Sequence, residues 1–255
     1  MNFILLSFAL PSTPFTKEAE IVEFVNSQQI KNIKDGFYYV KSLEAFNKNF
    51  EKSKENEICT LAKQVLTSSS KNNDIKNIYY AVHASSSLNC ALQLNDEISR
   101  IIYEAAKKDS TETVFFATAS AFKLREDNKI DFDDAEFYSV IEYLDSVSAV
   151  DGTFKSSTKE STGTLFHSGL ALQTLAIIQS SSQLDSDAEF IIESLKENVD
   201  GILELTRKGN GDITFTSRSS LPNADSLLNG ALNFVNIGDI HISNSVGHLF
   251  AFFNF

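Results

Sequence analysis

The chain has no tryptophan, only two cysteines and far fewer basic than acidic residues, 22 against 34. The resulting net charge of −12 opposes phosphate backbones and anionic lipid surfaces, so we expect no nucleic-acid partner. No H-E-x-x-H or paired C-x-x-C motif occurs, so no metal site is expected. The sequence also lacks any N-x-S/T acceptor site for glycosylation.

Long hydrophobic runs are absent as well. A membrane-spanning helix needs roughly 20 apolar residues, and the longest candidates are residues 3–10 and 249–253. We therefore expect no direct membrane span in this chain. Within residues 1–14, the segment 3–12 has the length of a secretory h-region, but the first basic residue is Lys17. This segment is either a signal or an ordinary first helix.

A short aromatic phrase recurs along the chain, at Phe37-Tyr38-Tyr39-Val40, at Ile78-Tyr79-Tyr80-Ala81-Val82 and at Val114-Phe115-Phe116-Ala117. The copies start roughly 40 residues apart, which is typical of stacked helical hairpins. We expect Tyr38, Tyr79 and Phe115 to occupy equivalent inner positions.

Apolar spacing predicts four helical hairpins. Asp35-Gly36 is predicted to cap the first helix, and Asp151-Gly152-Thr153-Phe154 to form a turn with a short extended piece. The predicted helix pairs are 37–46 with 55–66, 78–88 with 97–108, 114–124 with 137–147, and 164–179 with 188–205. The fold class is therefore all-α, built from helical-hairpin repeats.

Cys59 and Cys90 each lie near the end of a predicted helix and are separated by one hairpin. They form either a disulfide or two buried thiols. A disulfide closing this loop would contribute about 3 to 4 kcal/mol in the chain-entropy estimate.

Asp131-Phe132-Asp133-Asp134 matches the D-x-D-D pattern of class II terpene cyclases, in which a carboxylic acid protonates an isoprenoid. Such a site needs an aromatic cavity to shelter cations, and those enzymes are rich in tryptophan. The preferred interpretation is that Asp133 and Asp134 cap the next helix. The four histidines, His83, His167, His241 and His248, form no i, i+4 pair. His83 and His167 lie on apolar helices, where a satisfied core or groove histidine is far commoner than a ligand. We expect no catalytic residues and no cofactor.

Several packing and turn segments follow one another in a fixed order: Gly36-Phe37-Tyr38, Cys59, residues 79–85 leading to Leu88-Asn89-Cys90, residues 108–117, and residues 151–154 through 160–164. In this order they resemble the ribophorin II family, specifically its N-terminal luminal domain. The segment 125–150 looks shorter than its counterpart in the family. These are packing and turn motifs whose shared order is hard to obtain by chance.

The resemblance implies an α/α toroid-like superhelix in the lumen of the endoplasmic reticulum, over residues 15–238. It implies a non-catalytic accessory or scaffold subunit of the oligosaccharyltransferase complex, with other subunits of that complex as partners. The family is membrane-anchored, and we expect the anchor to be absent from this chain. Two alternatives are a toroid enzyme of the terpene-cyclase type, using Asp131, Asp133 and Asp134, and a generic helical-repeat module that binds other proteins.

The C-terminal tail, residues 239–255, fits no helical period, and we expect it to be truncated before a β-rich region. It carries apolar side chains that we expect to form an interaction surface: Leu249, Phe250, Phe252, Phe253 and Phe255.

Overall fold

The structure, a computed structural model, describes residues 18–195 except 68–73, 92, 128 and 182–185. Over these residues the fold is all-α, as the sequence predicts, and the only β pairing is at isolated bridges. None of the helices in this part is long and apolar enough to cross a membrane. The helices are α1 Glu18–Ser27, α2 Ile33–Ala45, α3 Lys52–Thr67, α4 Ile75–Ser87, α5 Asp96–Ala106, α6 Thr111–Glu126, α7 Asp134–Ser146, α8 Leu165–Ser181 and α9 186–195.

The helices from α2 to α8 form two sets. We call α2, α4, α6 and α8 the first layer, because each contacts the next. The helices α3, α5 and α7 pack against this row. α3 contacts α4 more extensively than its own hairpin partner α2, and α5 likewise contacts α6 more than α4. The first two hairpins are therefore each joined to the next mainly by their second helix. One continuous apolar core runs through the stack.

Side-chain caps set the helix starts. Asp74, Asn95 and Ser110 each accept a hydrogen bond from a backbone N–H of the first turn that follows. The predicted Asp35-Gly36 cap is wrong, because Asn32 caps α2 and Asp35 Oδ2 accepts from Lys31 N at 3.0 Å. Helix α1 has no counterpart in the sequence predictions.

Gly36 lies inside α2, where the helix approaches α3 closely. A Cβ at this position would lie 3.0 Å from Ile58 Cγ1. The glycine that suggests a helix start in the sequence thus serves a close contact between two helices.

The connection between α7 and α8 departs from the hairpin pattern. Asp151 Oδ1 accepts from the Thr153 backbone, and Gly152 has φ 81°, a conformation that favours glycine. Phe154 is fully buried and forms bridges with Ser148 and with Thr164. The predicted turn with a short extended piece is confirmed.

Candidate functional site

Aromatic side chains form a continuous row across three first-layer helices. Phe37, Tyr79 and Phe115 are each the fifth residue of their helix, so they occupy equivalent positions. Ring centroids lie 5.4 Å apart for Phe37 and Tyr79 and 5.7 Å apart for Tyr79 and Phe115. The predicted equivalence of Tyr38, Tyr79 and Phe115 is wrong in one residue. Phe37, and not Tyr38, is the residue of α2 that matches Tyr79 and Phe115. We call the following six residues the aromatic row: Phe37, Tyr38, Tyr79, Tyr80, Phe115 and Phe116.

The sixth positions of the same helices make the outer edge of the row. Tyr38, Tyr80 and Phe116 are half-buried, whereas Phe37 and Phe115 are buried. Lys76 Nζ lies 5.6 Å from the Phe116 ring centroid and 2.8 Å from Glu112 Oε1. Burial raises the pKa of the Tyr80 hydroxyl, so this group stays protonated and able to donate.

A pocket of about 380 Å³ opens farther along the first layer. All four helices line it, with Lys41 from α2, His83 from α4, Lys123 from α6 and Ile177 from α8. Lys41 and His83 lie four residues after Phe37 and Tyr79, so each sits one helical turn beyond the aromatic row on the same face. The volume is in the range of small-molecule sites.

His83 is the polar group of this pocket that lacks a partner. The side chain keeps some exposure, but its Nε2 atom is buried and accepts or donates no hydrogen bond within the described part of the chain. The ring packs on Tyr79, with centroids 4.3 Å apart. The sequence favours a satisfied core or groove histidine over a ligand, and only the unpartnered Nε2 departs from that interpretation.

The protonation of His83 follows from its surroundings. Burial, and then the charges of Lys41 and Lys123, lower its pKa to about 3, so the ring is neutral at physiological pH. A backbone hydrogen bond with Ala119 acts in the opposite direction. A neutral imidazole has one N–H donor and one acceptor nitrogen, and Nε2 is the ring nitrogen that is buried without a partner.

The remaining charges of the pocket are balanced. Lys41 Nζ lies 2.7 Å from Glu44 Oε2, and Lys123 Nζ lies 2.8 Å from Glu126 Oε2. Lys41 Nζ is also 3.4 Å from Ser87 Oγ. Each ammonium group has three N–H donors, so donors remain for a ligand although the local charge is close to zero.

Sequence reasoning missed this pocket. Its lysines and serines appear as ordinary polar residues of amphipathic helices, and only His83 was singled out. A usable signal does exist in the repeat, because the position four residues after each aromatic holds Lys41, His83 and Ala119. This spacing indicates that the helix face carrying the aromatic side chains extends one turn further, to the residues that line the pocket.

The three aspartates of the D-x-D-D pattern lie on the surface. Asp133 is the N-cap of α7 in a capping box with Glu136, as the capping interpretation predicts, and Asp134 pairs with Arg125 at 3.3 Å. The hydrogen bond with the Glu136 side chain lowers the pKa of Asp133. A general acid needs a raised pKa in a sheltered cavity, so this arrangement does not suit cyclase chemistry.

Some of the other predicted site residues lie in the described part of the chain, and the rest lie outside it. Cys59 in α3 and Cys90 just after α4 are joined in a disulfide, with their Cα atoms 5.6 Å apart. His167 Nδ1 lies 2.8 Å from Thr164 Oγ1. No cluster of metal-ligating side chains occurs among the described residues. The segment 1–14, His241, His248 and the apolar C-terminal side chains lie outside the described part.

Comparison with known proteins bears on the identity of this stack. No curated protein matches the chain in sequence. The family model described as the ribophorin II N-terminal domain matches residues 17–234, which confirms the resemblance drawn from the motifs. That match spans the aromatic row, the disulfide and the pocket, and the chain belongs to the ribophorin II N-terminal domain family, a family of accessory subunits of oligosaccharyltransferase.

Proposed function

We propose that this chain is a non-catalytic scaffold subunit of the oligosaccharyltransferase complex that supports N-glycosylation in the lumen of the endoplasmic reticulum. The observation that carries the proposal is the family match over residues 17–234. The surface position of Asp131, Asp133 and Asp134 supports it, because those carboxylates were the main candidates for catalysis.

The proposed mechanism is presentation of surface. A stack of hairpins leaves side chains at its ends and along the first layer that no further repeat covers. We propose that the hairpins, over residues 15–238, continue into a toroid-like superhelix. We also propose that the tail, residues 239–255, contacts neighbouring subunits through its apolar side chains: Leu249, Phe250, Phe252, Phe253 and Phe255.

Affinity purification of the tagged full chain from the endoplasmic reticulum tests the proposal. We expect the catalytic subunit to co-purify, and we expect depletion of the chain to lower occupancy of acceptor sites. Replacing the five apolar tail residues by serine should abolish co-purification. The double change Asp133→Asn and Asp134→Asn, which keeps a capping side chain, is the matched control and should leave it intact.

Two outcomes would contradict the proposal. Recovery of an unrelated protein in place of oligosaccharyltransferase subunits would favour the generic helical-repeat module. Turnover of an isoprenoid diphosphate by the wild-type chain, lost in the aspartate double variant, would favour the cyclase.

A further inference from the structure

We propose that the pocket between α2, α4, α6 and α8 binds a neutral sugar ring. The site is independent of subunit assembly, so it goes beyond the proposed function. Its floor and walls come from all four first-layer helices, and its volume of about 380 Å³ accommodates a ligand of monosaccharide size.

The polar groups of the pocket select the chemistry of this ligand. His83 lines the pocket and its Nε2 is buried without a partner, and the ammonium groups of Lys41 and Lys123 retain donors beyond their carboxylate contacts. Ser86 and Ser87 add hydroxyl groups that both donate and accept. A ligand that matches them carries several groups able to donate and to accept, which is the property of sugar hydroxyls.

The charge balance argues against an ion. Glu44 and Glu126 neutralise the two lysines, and the His83 ring is neutral because burial lowers its pKa. An anion would meet the carboxylate of Glu126, and a cation would meet the two ammonium groups. An uncharged ligand meets neither repulsion.

The apolar part of the lining complements the C–H faces of a sugar ring. Phe122, Ala119 and Ile177 supply this surface from α6 and α8. An apolar wall with a few placed polar groups is typical of small-molecule sites. The aromatic row lies one turn away through the contact of Tyr79 with His83, so a longer saccharide has further rings to follow.

Titration of the full chain with methyl glycosides of neutral hexoses, followed by calorimetry or ligand-observed NMR, tests this inference. We expect a Kd on the order of 1 mM for a ligand of this size. His83→Phe removes the unpartnered Nε2 while keeping a ring, and we expect binding to weaken roughly tenfold. Ser87→Ala, a smaller change at the rim, should weaken binding by a few-fold. His167→Phe changes a histidine outside the pocket and is the matched control, with unchanged affinity.

Folding and binding are separated by a thermal denaturation curve for each variant. Because His83→Phe removes a buried nitrogen without a partner but keeps a ring against Tyr79, we expect its thermal stability to stay close to the wild type while sugar binding weakens roughly tenfold. If His83→Phe does not fold, the few-fold weaker sugar binding expected for Ser87→Ala becomes the test of the inference.

Three results would overturn the inference. They are no detectable binding of any glycoside at 10-fold the expected Kd, tighter binding of glucose 6-phosphate than of the neutral glycoside, and binding of an acetylated dipeptide amide with no binding of the glycosides. Co-purification of His83→Phe with oligosaccharyltransferase subunits is a separate readout. Failure of sugar binding therefore leaves the scaffold proposal standing, and failure of assembly leaves the sugar site standing.

Discussion

Helices α5 and α6 belong to the same stack but bury their residues differently. α5 buries one stripe, Ile98, Ile102, Ala105 and Ala106, while Arg100 on its exposed face pairs with Glu97 and Glu104. α6 is contacted by α4, α5 and α8 and buries residues all round, including Ala117, Thr118, Ser120 and Ala121. A helix with one neighbouring surface needs one apolar stripe, whereas a helix with several needs small side chains on every side.

The disulfide joins the first layer covalently to a helix outside it. Cys59 lies in α3, and Cys90 follows the first-layer helix α4. Replacing both cysteines by alanine should lower the free energy of unfolding by about 3 to 4 kcal/mol in the chain-entropy estimate, given the sequence separation of 31. Urea denaturation measures this. Wild-type protein in reductant should show the same loss, and an unchanged midpoint in both would contradict the prediction.

A reciprocal pair of substitutions sharpens the contrast between α5 and α6. Ile102→Ala deletes volume from the single stripe of α5 and should cost about 2 to 5 kcal/mol. Ala117→Leu adds volume inside α6, where the site is fully buried, and should cost about 1 to 3 kcal/mol through overpacking. Chemical denaturation of both variants provides the comparison. A neutral Ala117→Leu would show that α6 is not closely packed by its neighbours.

Acid sensitivity tests the burial of His83 in the first layer. Its pKa falls from the ordinary value of 6.5 to about 3 on folding. The contribution of the neutral His83 ring to the free energy of unfolding is therefore complete above pH 6.5 and is lost as the pH falls toward 3. The slope should reach about 1.4 kcal/mol per pH unit. Unfolding free energies between pH 6.5 and 5 measure it. His83→Phe should flatten the slope, while His167→Phe should retain most of it.

The smallest expected effect concerns the capping box at the start of α7. Asp133→Ala removes hydrogen bonds to the backbone N–H groups of Ala135 and Glu136 and should cost about 1 kcal/mol. Asp133→Asn retains an acceptor and should cost less. The exposed Asp131, outside the cap, provides the control Asp131→Ala with no measurable loss in the same denaturation assay. Equal loss in Asp131→Ala and Asp133→Ala would contradict the capping role.

Most of the helical organisation was predictable, because capping and apolar spacing act over a few residues. The helices of the first three hairpins all occur near their predicted positions, and Ser110 and Asp133 act as caps. Helix α2 begins earlier than predicted, since Asn32 supplies the cap and Gly36 meets Ile58. That close approach depends on a residue far along the chain, so no local pattern reveals it.

The sequence by itself determined the all-α class, the hairpin repeat and the family, because periodicity, capping residues and motif order are properties of neighbouring residues. The tertiary structure decided which rings share a register and which side chains surround His83. Those depend on how α2, α4, α6 and α8 pack. A side chain loses its water and its charge only through neighbours brought from distant parts of the chain, so the buried Nε2 of His83 and the pocket around it arise only in the folded stack.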